Sequence, residues 1–234
     1  RRFSRLSVYS RLVVIITTVL IFGGAGVFAA LEWNNPGTLG PMDWGDKVLN
    51  AFFQSTTART AGWTSINQAN LTDGAKVATM VLMFVGACPA STGGGVKTTT
   101  IFFMIMLFAS VFRGRDEVVV GKETINTRTI KRAAVVTTAC FLGSFAQALI
   151  IWATEAAYGV QLSVIDSMYE AFSAFGTVGV SAGLTTSLHT PALITLCFSM
   201  FIGRLGPLTI GTALLNTKKQ SANIKYPDAK ILIG

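Results

Sequence analysis

Residues 12–32, LVVIITTVLIFGGAGVFAALE, form one apolar run, and about 20 such residues suffice to cross a bilayer as a helix. A turn-rich stretch, WNNPGTLGPM at 33–42, follows it. Residues 43–58 have a helical pattern but are too short and too polar to span, with Asp43 or Asp46 available as the cap. After TARTAGWTS, residues 75–112 are apolar apart from an interrupted middle. The order then recurs. A charged stretch at 113–132 leads to an apolar span at 133–154, in which Gln147 is the one strongly polar residue. A short mixed helix at 163–175, the turn GTVGVSAGLTT and a span at 192–215 complete it.

The recurrence has a fixed period, the mark of an internal repeat. Thr60-Ala61-Gly62 and Thr177-Val178-Gly179 lie 117 residues apart. The same offset relates Met83-Phe84-Val85-Gly86 to Met200-Phe201-Ile202-Gly203, and Arg11 to Arg128. The pattern predicts an all-α membrane protein of tandem span–pore-helix–span units. Residues 1–112 are one unit with an interrupted second span, and 133–216 are the other. A linker at 113–132 joins them, and 217–234 form a tail.

The interruption is a matter of length. Residues 77–112 as one helix would reach about 54 Å at 1.5 Å per residue, against a hydrocarbon core about 30 Å thick. Unwinding near 87–97 resolves the excess. Pro89 lacks an amide donor, and each of Gly93, Gly94 and Gly95 disfavours helix by roughly 1 kcal/mol against alanine. Irregular backbone at membrane depth must be buried in protein or line water. A flap across an ion path meets that condition, with Gly86, Pro89 and the glycines giving mobility and Ser91, Thr92 and Lys97 giving polar contacts. A kinked span packed through small residues is the plainer alternative. STGGGVKT also approaches a phosphate-binding loop, but Ser91 and Val96 stand where that pattern needs glycine, and no strand precedes it.

Composition sharpens the class. The chain is 51% hydrophobic and 13% charged, with mean hydropathy +0.55, where soluble domains are about 25% charged. The net charge of +8 is clustered rather than spread. Arg1, Arg2, Arg5 and Arg11 precede the first span; Arg113, Arg115, Lys122, Arg128, Lys131 and Arg132 occupy the linker; Lys218, Lys219, Lys225 and Lys230 close the chain. Acidic residues populate the intervening loops. Basic loops stay cytoplasmic, so the chain is predicted to be a multi-pass protein of the cytoplasmic (inner) membrane, in contact with lipid, with both termini and the linker on the cytoplasmic side. No basic face is interleaved with aromatics, which argues against nucleic acid. The first apolar run is too long for a signal-peptide core. Cys88, Cys140 and Cys197 show no metal or disulfide spacing, and His189 reads as a loop residue beside Thr190-Pro191. No paired-carboxylate, metal or nucleophile constellation suggests an enzyme, and no covalently bound cofactor is expected.

The glycine turns carry the chemistry. A short helix entering from outside aims its C-terminal end, about half a negative charge, at the membrane centre. The carbonyls after it can replace a cation's hydration shell. Glycine permits the conformations that turn successive carbonyls to one side. Thr60, Ala61, Gly62, Thr177, Val178 and Gly179 are therefore the candidate filter.

TARTAGW, AFGTVGVSAGLT, STGGGVKTTT and GRLGPLT, in this order, resemble the Ktr/Trk/HKT superfamily of potassium transporters, and among them most the membrane subunit of bacterial Ktr systems. The resemblance implies four repeats around one pseudo-fourfold pore, these 234 residues corresponding to the third and fourth. It implies potassium selectivity from Gly62 and Gly179, and a gate in GACPASTGGGVKT. It further implies a homodimer docked on a cytosolic nucleotide-binding regulatory ring through the linker, with Na+ as a coupling or activating ion. A non-conducting scaffold and a sodium-permeable relative are the alternatives.

Two arginines complete the list. Arg204 lies 12 residues into the span at 192–215, where a charge costs at least about 2.5–3.5 kcal/mol and marks function. The resemblance makes it an electrostatic barrier below the filter. Arg59, beside the filter, is expected to pair with a carboxylate of the short helix, Glu170.

Overall fold

The computed structural model describes residues 7–89, 91, 93–114, 118–120 and 123–206. The chain is mostly helical: α1 Val8–Glu32, α2 Trp44–Thr57, α3 Asp73–Phe84, α4 Thr98–Phe112, α5 Thr127–Ala157, α6 Val164–Phe175 and α7 Thr190–Leu205. Two-residue strands β1 Val119–Val120 and β2 Glu123–Thr124 pair antiparallel, Val119 opposite Thr124. Among the described residues α1 and α5 are long and apolar enough to cross a membrane, while α4 and α7 are shorter apolar helices.

Local chemistry sets the ends. Ser7 accepts from the Ser10 amide, Thr72 from Ala75 and Asn126 from Arg128, capping α1, α3 and α5. Pro191 lies in the first turn of α7, where its missing amide costs nothing. Asp43 holds the cap position of α2 without bonding there, and Asp46 lies in the first turn, where a negative charge suits the dipole.

The short helices match the pattern closely, while the ends of the spans differ; α1 begins at Val8 rather than at 12, and α5 runs on to Ala157. Helix α5 starts at Thr127 rather than 133, because nothing in 127–132 breaks a helix and Asn126 caps it. Arg128, Lys131 and Arg132 therefore belong to its first turns rather than to an irregular linker. Helix α7 stops at Leu205, with Gly206 at φ 79°, so the span expected at 192–215 is not one helix. Thr190-Pro191 begins that helix, two residues before the expected start at 192. The tail at 217–234 lies outside the described residues.

The described residues between Val85 and Lys97 are non-helical, as the length argument requires. The excursion satisfies its own backbone: Gly86 N donates to Val96 O at 2.9 Å, Val96 N to Phe84 O at 3.3 Å and Thr98 N to Ala87 O at 3.3 Å. Two buried carboxylates brace the ends of the long helices. Glu32 accepts from Asn35, Thr38 and both the amide and hydroxyl of Thr72. Glu155 accepts from the amide and Nδ1 of His189. Thr72 and His189 are N-caps 117 residues apart, so different residues make the same clasp in each half. His189 is thereby a structural residue, stacked on Tyr158, rather than a bystander in a loop.

The halves join through α3 and α6. Lys76 Nζ bonds Asp166 at 2.6 Å. Tyr169 donates to Gln68, which donates to Gln54. Met80, Met83, Tyr169 and Phe172 pack around Val178 and Val180. Gln147 reaches Thr195 on α7 at 3.0 Å, so the polar residue of the α5 span is matched internally.

Candidate functional site

Helices α2 and α6 each run out into a Thr-x-Gly turn, and the two turns meet. Thr60 and Thr177 are the only non-glycine described residues with positive φ, at 70° and 52°. Gly62 and Gly179 follow at 78° and 89°. Alternating backbone hand along each turn brings peptide groups to one side, and a threonine at positive φ is strained. The same strain at both members of a 117-residue pair marks a conformation held by its surroundings. A Cβ on Gly62 would stand 2.7 Å from Val178 O, and one on Gly179 3.5 Å from the Gly62 Cα. Gly62 is therefore glycine for two reasons, hand and close approach, and Gly179 for its hand.

Each turn is pinned behind by a hydroxyl that the sequence pattern did not single out. Thr57 Oγ1 donates to Trp63 O and accepts from Trp63 N. Ser173 Oγ donates to Val180 O at 2.5 Å and accepts from Val180 N at 3.1 Å. Trp63 and Val180 are again 117 apart. The signal was present as a hydroxyl six or seven residues before the limb that leaves the turn. Neither α2 nor α6 has a basic residue in its last turn, so the negative end of each helix dipole points at the turn unopposed from within the helix.

The loop at 85–97 lies against both turns. Gly94 N donates to Thr177 Oγ1 at 2.9 Å. A Cβ on Gly93 would stand 2.5 Å from Thr60 Oγ1, and one on Gly86 2.3 Å from Gly94 O. Lys97 Nζ donates to Gly93 O at 2.5 Å. Arg204, in the last turn of α7, is close enough to act on Lys97 electrostatically. Thus the structure gathers Thr60, Gly62, Thr177, Val178, Gly179, Gly86, Gly93, Gly94, Gly95 and Lys97. Ala61 and Gly179 face outward, while the Val178 side chain is turned into the core. Pro89 is half-buried and Ser91 exposed; Thr92 lies outside the described residues. Arg204 lies in the last turn of α7, which ends at Leu205; residues 207–215 of the expected span lie outside the described residues.

One pairing is corrected. Arg59 does not reach Glu170. Its Nη2 lies 4.0 Å from Cys88 Sγ, on the first half's side of the site. Glu170 is occupied by Ser181 Oγ, Ala182 N and Thr185 Oγ1 at 2.6, 2.9 and 2.7 Å. Those donors fix the limb beyond Gly179 and leave no call for a cation. Cys88 also contacts Thr17 Oγ1 at 3.4 Å, so α1 steadies the loop. A cavity of about 340 Å³ lies among Thr56, Arg59, Thr60, Cys88, Ser91 and Gly93. Among the described residues no three His, Cys, Asp or Glu side chains cluster as a metal site would require.

Comparison with known proteins follows the same lines. Residues 2–226 match the family profile described as TrkH, cation transport protein. The chain is 37% identical over 238 residues to the Ktr system potassium uptake protein B of Bacillus subtilis, covering 100% of this chain and 51% of that protein. It is 31% identical over 235 residues to the potassium/sodium uptake protein NtpJ of Enterococcus hirae, again covering 100% and 51%. Its fold is similar to the crystal structure of the potassium transporter TrkH from Vibrio parahaemolyticus, with TM-score 0.66, 21% identity, and coverage of 90% of this chain and 44% of that one. The chain spans about half the length of the curated relatives it matches.

Proposed function

Because this chain belongs to the TrkH family of cation transport proteins, which are not enzymes, we propose that it lines half of a potassium path through the cytoplasmic membrane. In this reading α1 and α5 are first spans, α2 and α6 are pore helices, and α3–α4 and α7 begin the second spans of two units about a pseudo-fourfold axis. Thr60, Ala61, Gly62, Thr177, Val178 and Gly179 form two of its filter segments, and the loop carrying Gly93–Gly95 is the gate below them.

The observation that carries the reading is the meeting of the two Thr-x-Gly turns. Each has matched positive φ at its threonine and its glycine, and each follows the C-terminus of a short helix. Helix ends and carbonyls so arranged favour a cation stripped of water. The loop supports the gate assignment by lying against both threonines, with Lys97 and Arg204 adding positive charge that a cation must pass. Glu170 supports the filter by holding the limb at 181–185; Arg59 steadies the gate loop at Cys88.

Replacing Gly179 with serine tests the filter. The positive φ disfavours any side chain, so potassium-over-sodium selectivity of the intact protein in liposomes is expected to fall. Unchanged selectivity would remove this turn from the filter. The sodium-permeable alternative draws on the potassium/sodium uptake relative, and the same measurement on the unaltered protein decides between them. Homodimerisation and docking of a cytosolic nucleotide-binding ring on the 113–132 segment belong to the same proposal, as does sodium as a coupling ion. The basic, hairpin-bearing linker is a suitable surface for such a partner.

A further inference from the structure

One peptide group connects the loop to the turn beside it. The carbonyl of Gly93 accepts from Lys97 Nζ at 2.5 Å, and the amide on the other side of that peptide bond, Gly94 N–H, donates to Thr177 Oγ1 at 2.9 Å. An ammonium on the carbonyl polarises the peptide and strengthens its N–H as a donor. Lys97 thereby projects positive charge through the Gly93–Gly94 peptide onto a filter hydroxyl. The fit leaves no room for a side chain: a Cβ on Gly94 would stand 2.4 Å from Thr177 Oγ1 and 3.0 Å from Gly176 O. The sister threonine is treated differently. Among the described residues the loop packs against Thr60 through Gly93 but gives it no hydrogen bond.

We propose that the Thr177 hydroxyl oxygen is shared exclusively between the loop and the transported cation. The loop at rest takes that oxygen as its own acceptor, and potassium occupying the inner face of the filter drives the loop away. This deepens the potassium-path reading and rests on it. A hydroxyl oxygen has two lone pairs and one proton. While Gly94 N–H is directed at it, a partial positive charge backed by Lys97 stands where a dehydrated cation would need the oxygen to face. Ion and loop therefore compete, and linkage makes the competition reciprocal. Whatever factor loop closure takes from potassium affinity, potassium takes from loop closure. Closure then does more than block the path, since it also removes a ligand from the site above. Lys97 is a positioning residue in this scheme and acts through the peptide.

The pair of threonines supplies the test. In the intact protein in liposomes, a spin label at the exposed Ser91 reports loop position while potassium is titrated against N-methylglucamine at constant ionic strength. Potassium is expected to raise the displaced population. T177V should abolish that dependence and raise resting flux roughly two- to twelvefold, the effect of losing one ordinary hydrogen bond. T177S should restore both. T60V, which removes the equivalent filter hydroxyl without touching a loop hydrogen bond, should weaken the potassium dependence of the label without abolishing it. K97M should act in the direction of T177V, and it carries the test if T177V fails to reach the membrane. A potassium response that survives T177V, or is lost equally in T60V, overturns the sharing. If both threonine variants also keep unaltered potassium-over-sodium selectivity, the filter assignment itself fails. Altered selectivity with an intact label response defeats the sharing alone.

Discussion

Helix α6 is buried at every residue from Tyr169 to Phe175, whereas α2 buries only Ala51, Gln54, Ser55 and Thr57 and leaves Trp44, Val48 and Leu49 exposed. The turns that follow them nevertheless share their backbone hand, residue for residue. The turn at 177–179 is held by a packed core, with Val178 and Val180 inserted among Met80, Tyr169 and Phe172. The turn at 60–62 has a less buried helix behind it and keeps the hydroxyl pin the two turns share, here from Thr57 to both backbone groups of Trp63. One strained geometry under unequal packing means that the geometry is what both halves keep. They diverge just inside the turns, where α3 leads into a glycine loop and α7 ends on Leu205-Gly206.

Paired substitutions across the offset break or sharpen this comparison. The largest difference is expected at the carboxylate clasps. Glu32 serves four donors and Glu155 two. Each donor stranded in a buried site costs about 1–3 kcal/mol, so E32A should lose about 4 kcal/mol or more and E155A about half that. Thermal unfolding of the detergent-solubilised protein measures both, and equal losses would refute the ranking. Next come the glycines that follow Met-Phe-x. A Cβ on Gly203 would meet Phe175 O at 1.9 Å, and one on Gly86 would meet Gly94 O at 2.3 Å. The first obstacle is the end of a buried helix, so G203A is expected at the upper end of the about 1–3 kcal/mol that overpacking costs. The second is the loop itself, which can yield. G86A should therefore lower stability less and raise ion flux more; the opposite order would mean that the loop is as rigid as α6.

Much of this was legible in the chain. Apolar run length found α1 and the body of α5, because bilayer thickness leaves little freedom, and the mixed helical pattern placed α2 and α6 within a residue or two. The 117-residue offset found both Thr-x-Gly turns and both Met-Phe-x-Gly entries, since the repeat keeps the residues that its backbone needs. What escaped depends on contacts distant in sequence. Glu32 and Glu155 are not at the offset, so the clasp they make appears only once Thr72 and His189 are seen as equivalent caps. Arg59 and Glu170 looked like partners because each lies near a Thr-x-Gly turn. Glu170 turns instead to the limb beyond its own turn, where three donors satisfy it. The end of α7 at Gly206 was hidden because the residues around Arg204 are apolar enough to continue a span.

The central claim is that the glycine loop closes a cation path formed by the paired turns. Deleting residues 93–95 removes the Gly94 bond to Thr177, the Gly93 contact with Thr60 and the carbonyl that anchors Lys97. Potassium flux into liposomes carrying the intact protein with this deletion tests the claim most directly. The account predicts flux well above that of the unaltered protein, with preference over sodium retained because the turns are untouched. Flux that stays at the unaltered level in correctly folded protein would contradict it.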